Sequence, residues 1–365
     1  MMNFLFVGGG TLGPVTPLLA VAKALSDRQN GSRFFWIGTP NGPERLLVEK
    51  KGMTFFALPV TKVPRYPSLL WIKLPFAMIA ARKRAKKILR QIKPRAVITV
   101  GGFTAVPVIF EAKKMGIPCF THQLDLVPGL ANKKIASKCQ SVTTSFEYER
   151  GPFGEWVSDE RIATPVRFSL ERLPSKIKAS AAFGFDPHRK IVLVFGGGTG
   201  AQTLNECMDR TRAEWLKFCQ ILHITGEGKG TSDPHSLKGY VTKPFLGENM
   251  DDAYAAADLV ICRSGIGALS EIAALKKAVI LVPIPHSHQE ANAHAFEERG
   301  AAVVVPQTLK NFDQEILATA KLLLSDERAR KTMGERANLF FPTDDGSALA
   351  TRILTCLKDE ANLRK

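Results

Sequence analysis

Two glycine clusters, each directly after a short apolar run, constrain the fold of this 365-residue chain more than any other feature. The first is FLFVGGGTLGP, residues 4–14, and the second is LVFGGGTGAQ, residues 193–202. Glycines at the carboxyl end of a buried strand allow a tight turn and let the amides of the following helix approach an anion. The repeated strand, turn and helix unit therefore predicts two doubly wound domains, each beginning at a glycine cluster.

The rest of the chain alternates short apolar runs with longer segments such as TPLLAVAKALSDR and ALSEIAALK, which is typical of parallel α/β sheets. Ten runs are predicted strands: FLFVG, RFFWIG, RAVITVGG, IPCFTHQ, QSVTTS, KIVLVFGGG, CQILHITG, ADLVICRSG, KAVILVPI and AAVVVP. The prolines and polar residues of ATPVRFSLERLPSKIKA interrupt this rhythm. We therefore predict an α/β fold with one domain over residues 1–165 and a second over 166–342.

The positive charge of the chain is concentrated in its first half. Residues 1–165 contain 24 Lys and Arg against 10 Asp and Glu, a net charge of +14, whereas residues 166–365 contain 26 against 24, a net charge of +2. Eleven basic residues and no acidic one lie within residues 61–100, around the apolar run LLWIKLPFAMIAA, which Lys73 and Pro75 interrupt. This run is shorter than the roughly 20 residues that a helix needs to span a bilayer. The segment ARKRAKKILRQIK is predicted to be a helix with a cationic face, a pattern that suits anionic lipid headgroups.

Two other interpretations of residues 61–100 stay open at this point. A basic run is often a solvated helix face, and it also occurs in proteins that bind nucleic acid. Nucleic acid is disfavoured because the sequence has no zinc-finger spacing and no aromatic-rich RNA-binding strand.

The cysteines and the N-terminus indicate where in the cell the protein is expected. The six cysteines are far apart and form no CxxC pair, and the N-terminus shows neither a basic leader nor a small-residue cleavage site. We therefore expect a cytoplasmic protein, peripheral on the cytoplasmic face of the plasma membrane.

A third helix start carries a candidate binding site. In ADLVICRSGIGALSEIAA, residues 257–274, an apolar strand ends at Arg263, Ser264 and Gly265, and Glu271 lies about one turn into the following helix. A carboxylate there can accept two hydrogen bonds from a vicinal diol such as a ribose, while amides near Gly267 face a diphosphate. The alternative is a carboxylate that caps the helix.

Amide side chains follow in HSHQEANAHAF, residues 286–296. His288, Gln289 and Asn292 are of the kind that hold sugar hydroxyls, although the segment is also consistent with a polar loop that enters a helix. Neither glycine cluster is followed by a ribose-binding acid about 20 residues on, which argues against a dehydrogenase.

Five stretches resemble the MurG family of N-acetylglucosaminyltransferases. They are GGGTLGPVTPLLAVAKAL, VGGFTAVP, HQLDLVPGLANKKIA, GGGTGAQTLN, and, most specifically, CRSGIGALSEIAA followed by HQEANA. The resemblance covers nearly the whole chain and implies the GT-B fold, with two Rossmann-like domains facing a central cleft and a C-terminal helix, residues 343–365, packed on the first. It also implies inverting transfer of GlcNAc from UDP-GlcNAc to the 4-hydroxyl of the MurNAc of lipid I, which gives lipid II for peptidoglycan synthesis.

The resemblance further implies which residues bind the substrates. The second domain would bind UDP-GlcNAc, and the first would bind the polyprenyl-diphosphate-linked muramyl peptide. The implied donor-binding residues are Thr11, Gly13, Arg167, Gly198, Thr199, Leu246, Ser264, Gly267, Ala268, Glu271, Gln289 and Asn292. The implied acceptor-binding residues are Gly10, Thr11, Gly102, Phe103, His122 and Asp125. No metal or other cofactor is expected, because helix-start amides would stabilise the leaving diphosphate in place of a cation bound by a DxD motif.

Two loops depart from the family pattern. The family's first glycine loop reads GGTGGH, whereas this sequence has Leu12 at the position of a glycine and Pro14 at that of the histidine. The family's HEQN loop reads HQLD here, residues 122–125. We hypothesise that Asp125 is the general base and that His122 orients it or the acceptor. Alternatively, Asp125 only anchors the loop that follows.

Three other activities stay open on the sequence alone. A related GT-B transferase that acts on another lipid, such as diacylglycerol, would share the donor site and the basic segment. A UDP-sugar epimerase of similar fold would have little use for residues 61–100. A non-catalytic nucleotide-sugar-binding protein would account for Pro14 and for the changed HEQN loop.

Overall fold

The structure is a computed structural model of the chain, and it describes residues 2–10, 13–60, 70–148, 151–154, 157, 159–197, 200–229, 237–247 and 249–363. The chain divides into two compact units. Unit 1 is Met1–Arg167 with Asp344–Lys365, and unit 2 is Phe168–Thr343. Both boundaries lie within two residues of those predicted from the sequence.

Unit 1 is built on a parallel sheet of seven described strands. They are β1 (Asn3–Val7), β2 (Arg33–Gly38), β3 (Thr54–Ala57), β4 (Ala96–Thr99), β5 (Cys119–Gln123), β6 (Ser141–Thr144) and β7 (Asp159–Arg161). Their order is β3-β2-β1-β4-β5-β6-β7, with Phe4 of β1 aligned between Phe34 of β2 and Ala96 of β4. The order reverses direction between β1 and β4, and ligands of such sheets bind at this switch point, beyond the carboxyl ends of the strands.

Helices connect these strands and cover the sheet. They are α1 (Val15–Arg28), α2 (Glu44–Lys50), α3 (Leu70–Ile92), α4 (Ala105–Lys114) and α5 (Leu130–Ile135), and the short strand β8 (Thr164–Pro165) follows. Residues 4–7 of β1 are fully buried, as expected for a central strand with helices on both faces. One core joins Leu5 and Val7 to Ala85 and Leu89 of α3.

The helix predicted from ARKRAKKILRQIK is longer than this segment. α3 begins at Leu70, so it also includes most of the apolar run that Lys73 and Pro75 interrupt. Pro75 lies near the start of the helix, so the hydrogen bond that it cannot donate is lost at one end rather than in the middle. Among the described residues, no helix combines the length and the apolar character needed to cross a membrane.

Unit 2 contains a parallel sheet of six described strands. They are β9 (Ile191–Phe195), β10 (Gln220–Ile224), β11 (Tyr240–Lys243), β12 (Leu259–Cys262), β13 (Val279–Leu281) and β14 (Val303–Val304), in the order β11-β10-β9-β12-β13-β14. The helices are α6 (Lys176–Ala182), α7 (Gln202–Leu216), α8 (Met250–Ala256), α9 (Ile266–Ala274), α10 (His288–Glu298), α11 (Phe312–Ser325) and α12 (Glu327–Phe340). The switch point lies between β9 and β12. All ten predicted strands are present: β1, β2, β4, β5 and β6 in unit 1, and β9, β10, β12, β13 and β14 in unit 2.

The chain then returns to unit 1 through β15 (Thr343–Asp344) and α13 (Ser347–Leu363). The Val166 amide donates to the Asp344 carbonyl at 2.8 Å, and the Arg95 guanidinium donates to the Leu357 carbonyl at 3.1 Å. Ala350 and Ile353 of α13 are fully buried. The C-terminal helix is therefore an integral part of unit 1.

The close approach of α12 to the turn after α9 makes a stability prediction. A Cβ at Gly334 would overlap the backbone carbonyl of Lys276, whose own φ is +49°. We expect Gly334→Ala to lower the free energy of unfolding by about 1–3 kcal/mol through overpacking, although alanine favours a helix. Urea denaturation measures this, with Leu339→Ala as the control, because Leu339 is 83% exposed on the same helix. A Gly334→Ala protein as stable as the wild type would contradict the packing.

Candidate functional site

In unit 2, three predicted donor residues lie together where β12 ends and α10 begins. The Ser264 hydroxyl donates to the Gln289 carbonyl at 2.8 Å, and the Asn292 amide donates to the Ser264 carbonyl at 3.3 Å. Asn292 is fully buried, whereas Gln289 is half-buried. Residues that are 25 to 28 positions apart in sequence thus form one cluster beside the switch point.

At the start of α9, the structure describes two backbone amides that could donate to an anion, and they differ in part from the predicted pair, Gly267 and Ala268. The Ala268 amide donates to the Gly265 carbonyl at 3.0 Å, so it is already used within the first turn. The amides of Ile266 and Gly267 have no acceptor among the residues that the structure describes. The diphosphate contact implied for Gly267 and Ala268 stays a prediction, and Ile266 joins Gly267 as an amide without an acceptor in the described part of the chain.

Glu271 is held in place by a tyrosine that sequence analysis missed. The Tyr254 hydroxyl donates to Glu271 Oε2 at 2.9 Å, and Glu271 is only 7% exposed. Tyr254 is itself fixed by edge-on contacts with the rings of Phe168 and Phe195. Because the Ser270 hydroxyl donates to the Gly267 carbonyl instead, Glu271 does not cap the helix through Ser270.

Arg263 is a second residue that sequence analysis left without a role. Its guanidinium is buried and donates to the carbonyls of Val282 and Pro283 at 2.9 and 3.1 Å. Burial lowers the pKa of Arg263 from its ordinary value, because desolvation penalises the charged form. These bonds tie the end of β12 to the loop that leads into α10.

The other implied donor residues are more scattered. Leu246 is buried in the segment between β11 and α8. Gly198, Thr199 and Thr11 lie outside the described residues. Gly13 and Arg167 belong to unit 1, and their role at a donor site stays a prediction.

In unit 1, the loops after β1 and β4 bring two of the implied acceptor residues together. The Phe103 ring lies against Gly10, because a Cβ at Gly10 would be 3.0 Å from it. Gly102, with a φ of +92°, precedes Phe103 in a turn that only glycine adopts readily. The Gly10 amide, however, lies 3.3 Å from both carboxylate oxygens of Glu44. For Gly10, the prediction that amides after the glycine cluster approach a bound anion is wrong, because a side chain of unit 1 already engages this amide. The acceptor contact implied for Gly10 stays a prediction.

The role predicted for His122 is also wrong. Its ring is fully buried, with Nδ1 2.9 Å from the Thr143 hydroxyl and Nε2 2.9 Å from the Ser145 hydroxyl. Burial lowers the pKa of His122 to about 3, so the ring is neutral. Both nitrogens are engaged within unit 1, which leaves none for Asp125 or an acceptor. His122 connects β5 to β6 as a structural residue.

Asp125 is half-buried at the end of β5, and its backbone is tightly held. The side-chain amide of Gln123 donates to the Asp125 carbonyl at 2.6 Å, and the side-chain amide of Asn132 donates to Gln123 Oε1 at 2.5 Å. The Tyr148 hydroxyl donates to the carbonyls of Asp125 and Leu126. This network gives Asp125 a defined position, as a general base requires. Sequence analysis missed Asn132 and Tyr148, which lie 7 and 23 residues after Asp125.

Metal-binding side chains are not grouped in the described ranges. No set of three or more His, Cys, Asp or Glu residues there could hold a metal ion, and the six cysteines are free.

Comparison with known proteins places this geometry in a family. The glycosyltransferase family 28 N-terminal domain matches residues 4–144, and the family 28 C-terminal domain matches residues 191–344. The UDP-N-acetylglucosamine–N-acetylmuramyl-(pentapeptide) pyrophosphoryl-undecaprenol N-acetylglucosamine transferase of Bacillus subtilis is 33% identical over 92% of this chain and 94% of its own. The protein of the same name from a Nocardioides species is 33% identical over 97% of this chain and 98% of its own.

Solved structures agree with the sequence relatives. The crystal structure of Acinetobacter baumannii MurG superposes with a TM-score of 0.72 and 25% identity, covering 97% of this chain and all of that one. A Streptomyces glycosyltransferase, SsfS6, complexed with thymidine diphosphate superposes with a TM-score of 0.66 at 16% identity, which supports the fold alone. The two parallel-sheet units are therefore those of a GT-B glycosyltransferase. The chain belongs to glycosyltransferase family 28 and, within it, to the MurG family of N-acetylglucosamine transferases.

Proposed function

We propose that this protein is an inverting glycosyltransferase that moves GlcNAc from UDP-GlcNAc to the 4-hydroxyl of the MurNAc of lipid I, forming lipid II. The observation that carries the proposal is the cluster in unit 2, where Glu271, fixed by Tyr254, shares helix α9 with the open amides of Ile266 and Gly267. A carboxylate for a ribose and helix-start amides for a diphosphate are the groups that a uridine diphosphate sugar requires. Relatives named for this reaction support the choice of sugar and acceptor.

The reaction that fits these groups is a direct displacement. Asp125 accepts the proton of the acceptor 4-hydroxyl while that oxygen attacks the anomeric carbon of GlcNAc. The bond between this carbon and the diphosphate oxygen breaks, and UDP leaves with the negative charge. The amides and the dipole at the start of α9 stabilise that charge as it develops, so the proposal needs no metal ion or other cofactor.

Acceptor-dependent UDP release tests the proposed function. We expect the purified protein to release UDP from UDP-GlcNAc when a short-chain lipid I analogue is present, and not when diacylglycerol replaces it. EDTA is expected to leave the rate unchanged, because protein amides stabilise the leaving group. Release with diacylglycerol alone, or no release with either lipid, would contradict the proposal.

The same assay tests the assignment of Asp125. We expect Asp125→Asn to lower kcat by about 100-fold or more at saturating acceptor, because general bases typically contribute 10²–10⁴-fold. The amide keeps the size of the side chain and leaves the backbone bonds from Gln123 and Tyr148 possible. A control, Asp27→Asn, changes an exposed carboxylate of α1 and is expected to have no effect. Near-normal turnover of Asp125→Asn would remove the assignment.

Donor binding tests the role of Glu271. We expect Glu271→Gln to raise the dissociation constant for UDP-GlcNAc about 10-fold, because hydrogen bonds to a charged group contribute roughly 1.5–3 kcal/mol. Isothermal titration calorimetry without acceptor measures this change. Glu298→Gln, an exposed position on α10, is the matched control. Equal dissociation constants for the wild type and Glu271→Gln would show that Glu271 does not contact the donor.

The exposed face of α3 supports a location on the cytoplasmic face of the membrane. Phe76 and Ile79 are 73% and 53% exposed at its apolar end. Further along the helix, five basic side chains are exposed: Lys83, Arg84, Lys86, Lys87 and Arg90. Arg82 is different, because it pairs with Glu111 of α4 at 2.6 Å and stabilises unit 1. We propose that the exposed apolar and cationic face lies on anionic lipid, where the acceptor's polyprenyl chain is embedded.

A charge-matched pair of variants tests this surface. We expect the triple change Lys83→Ala, Lys87→Ala and Arg90→Ala to weaken binding to phosphatidylglycerol vesicles by about 100-fold, at roughly 1 kcal/mol per basic residue. Cosedimentation with vesicles measures the affinity. The control replaces three other exposed lysines: Lys23 of α1, Lys50 of α2 and Lys51 in the turn after α2. An equal loss in both triple variants would mean that net charge, not this face, determines binding.

A further inference from the structure

A buried carboxylate that contacts the first glycine loop has no role in the proposed reaction. Glu44, the first residue of α2, is fully buried. Its Oε1 accepts hydrogen bonds from the amide and the hydroxyl of Thr39, both at 2.6 Å, and the Gly10 amide lies 3.3 Å from each carboxylate oxygen. The described partners of this carboxylate are all neutral donors. Glu44 thus occupies an anion site built from the loops after β1 and β2.

The surrounding backbone is shaped to hold this carboxylate. A Cβ at Gly9 or at Gly42 would overlap the Glu44 side chain, so both loops need glycine at these positions. The neighbouring Gly8 amide is also satisfied internally, because it donates to the Ile37 carbonyl at 3.1 Å. Two of the loop's amides are therefore bonded within unit 1, and the glycines make room for an internal anion.

The Glu44 carboxylate contacts Gly10, which belongs to the surface that is implied to contact the acceptor. Gly10 has a φ of +86°, and the Phe103 ring lies against it. The bond from the Gly10 amide to Glu44 fixes the direction of this peptide group. Without Glu44, neither Gly10 nor the support beneath Phe103 would be held in this position.

We propose that Glu44 is the permanent anion of the first glycine loop and a positioning residue that fixes Gly10 and Phe103 for the acceptor. The inference rests on the proposed function, in which Gly10 and Phe103 contact the acceptor. A diphosphate at the Gly10 amide would compete with the Glu44 carboxylate that already lies there, so this amide is not where the acceptor diphosphate binds. The first glycine cluster of the sequence therefore holds a carboxylate of its own chain.

Rescue by a small carboxylate tests the anion site without any activity measurement. Glu44→Ala leaves the donors of Thr39 and Gly10 around a space that fits formate. We expect sodium formate to raise the Tm of the full-length Glu44→Ala protein by about 3 °C or more, relative to sodium chloride at equal ionic strength. The wild type, whose site is filled, is expected to respond equally to the two salts. Equal responses of both proteins to formate would overturn the proposal.

Steady-state kinetics test the positioning role. We expect Glu44→Ala to lower kcat/KM for the lipid I analogue about 10-fold or more, with the KM for UDP-GlcNAc unchanged within about twofold. Formate, but not chloride, is expected to restore part of this loss. Equal losses for donor and acceptor, or no recovery with formate, would overturn the positioning role. If the wild type transfers no GlcNAc, the proposed function fails, while the formate-dependent Tm still decides the anion site.

Glu44→Gln provides a second test if Glu44→Ala does not fold. Its amide oxygen can keep the bonds from Thr39, whereas its NH₂ group fills the space and carries no charge. We expect a smaller, acceptor-selective loss in kcat/KM and no response to formate. Wild-type kinetics for Glu44→Gln would show that the carboxylate charge is not required and would overturn the proposal.

Discussion

The reversal of strand order in each parallel sheet is the constraint on which the rest of the structure depends. It leaves a gap between the helices that follow β1 and β4 in unit 1, and between those that follow β9 and β12 in unit 2. Loops and helix starts meet at that gap with amides that the sheet does not use. In unit 2 the amides of Ile266 and Gly267 stay open, whereas in unit 1 Glu44 takes the Gly10 amide. Among the described residues, the same topology therefore leaves helix-start amides without an acceptor in unit 2 and has the corresponding loop amide bonded to a carboxylate in unit 1.

Buried hydrogen bonds from a second layer of residues hold the residues that we propose to contact substrates. Tyr254 fixes Glu271, the pair Asn132 and Gln123 fixes the Asp125 backbone, and Glu44 fixes Gly10. Each support is at least partly buried, where a lost partner leaves a polar group without a hydrogen bond and costs about 1–3 kcal/mol. Such supports favour a preorganised site, which reduces the reorganisation that the reaction would otherwise require.

The sequence predicted ten strands correctly, because continuous apolar runs with turn residues identify strands of parallel sheets. It missed five of the described strands. β3, β7 and β11 are edge strands with partly exposed residues, and β8 and β15 are only two residues long, so each has a weak pattern. It also predicted the cluster of Ser264, Gln289 and Asn292, through the family resemblance. It could not predict that the ring of His122 is turned into the interior or that Glu44 reaches Gly10. Both depend on which neighbour a side chain meets across 20 to 35 residues of sequence, and no local pattern encodes that.

The proposed reaction is a single displacement in which the acceptor hydroxyl attacks as UDP leaves. The configuration of the new glycosidic bond tests it most directly, because the sugar in UDP-GlcNAc is α-linked and one displacement inverts it. We would purify the product formed from a lipid I analogue and determine its anomeric proton coupling and linkage position by NMR. We expect a β-linked GlcNAc on the 4-hydroxyl of MurNAc. An α-linked product would contradict a single displacement, and with it the role proposed for Asp125 as its general base.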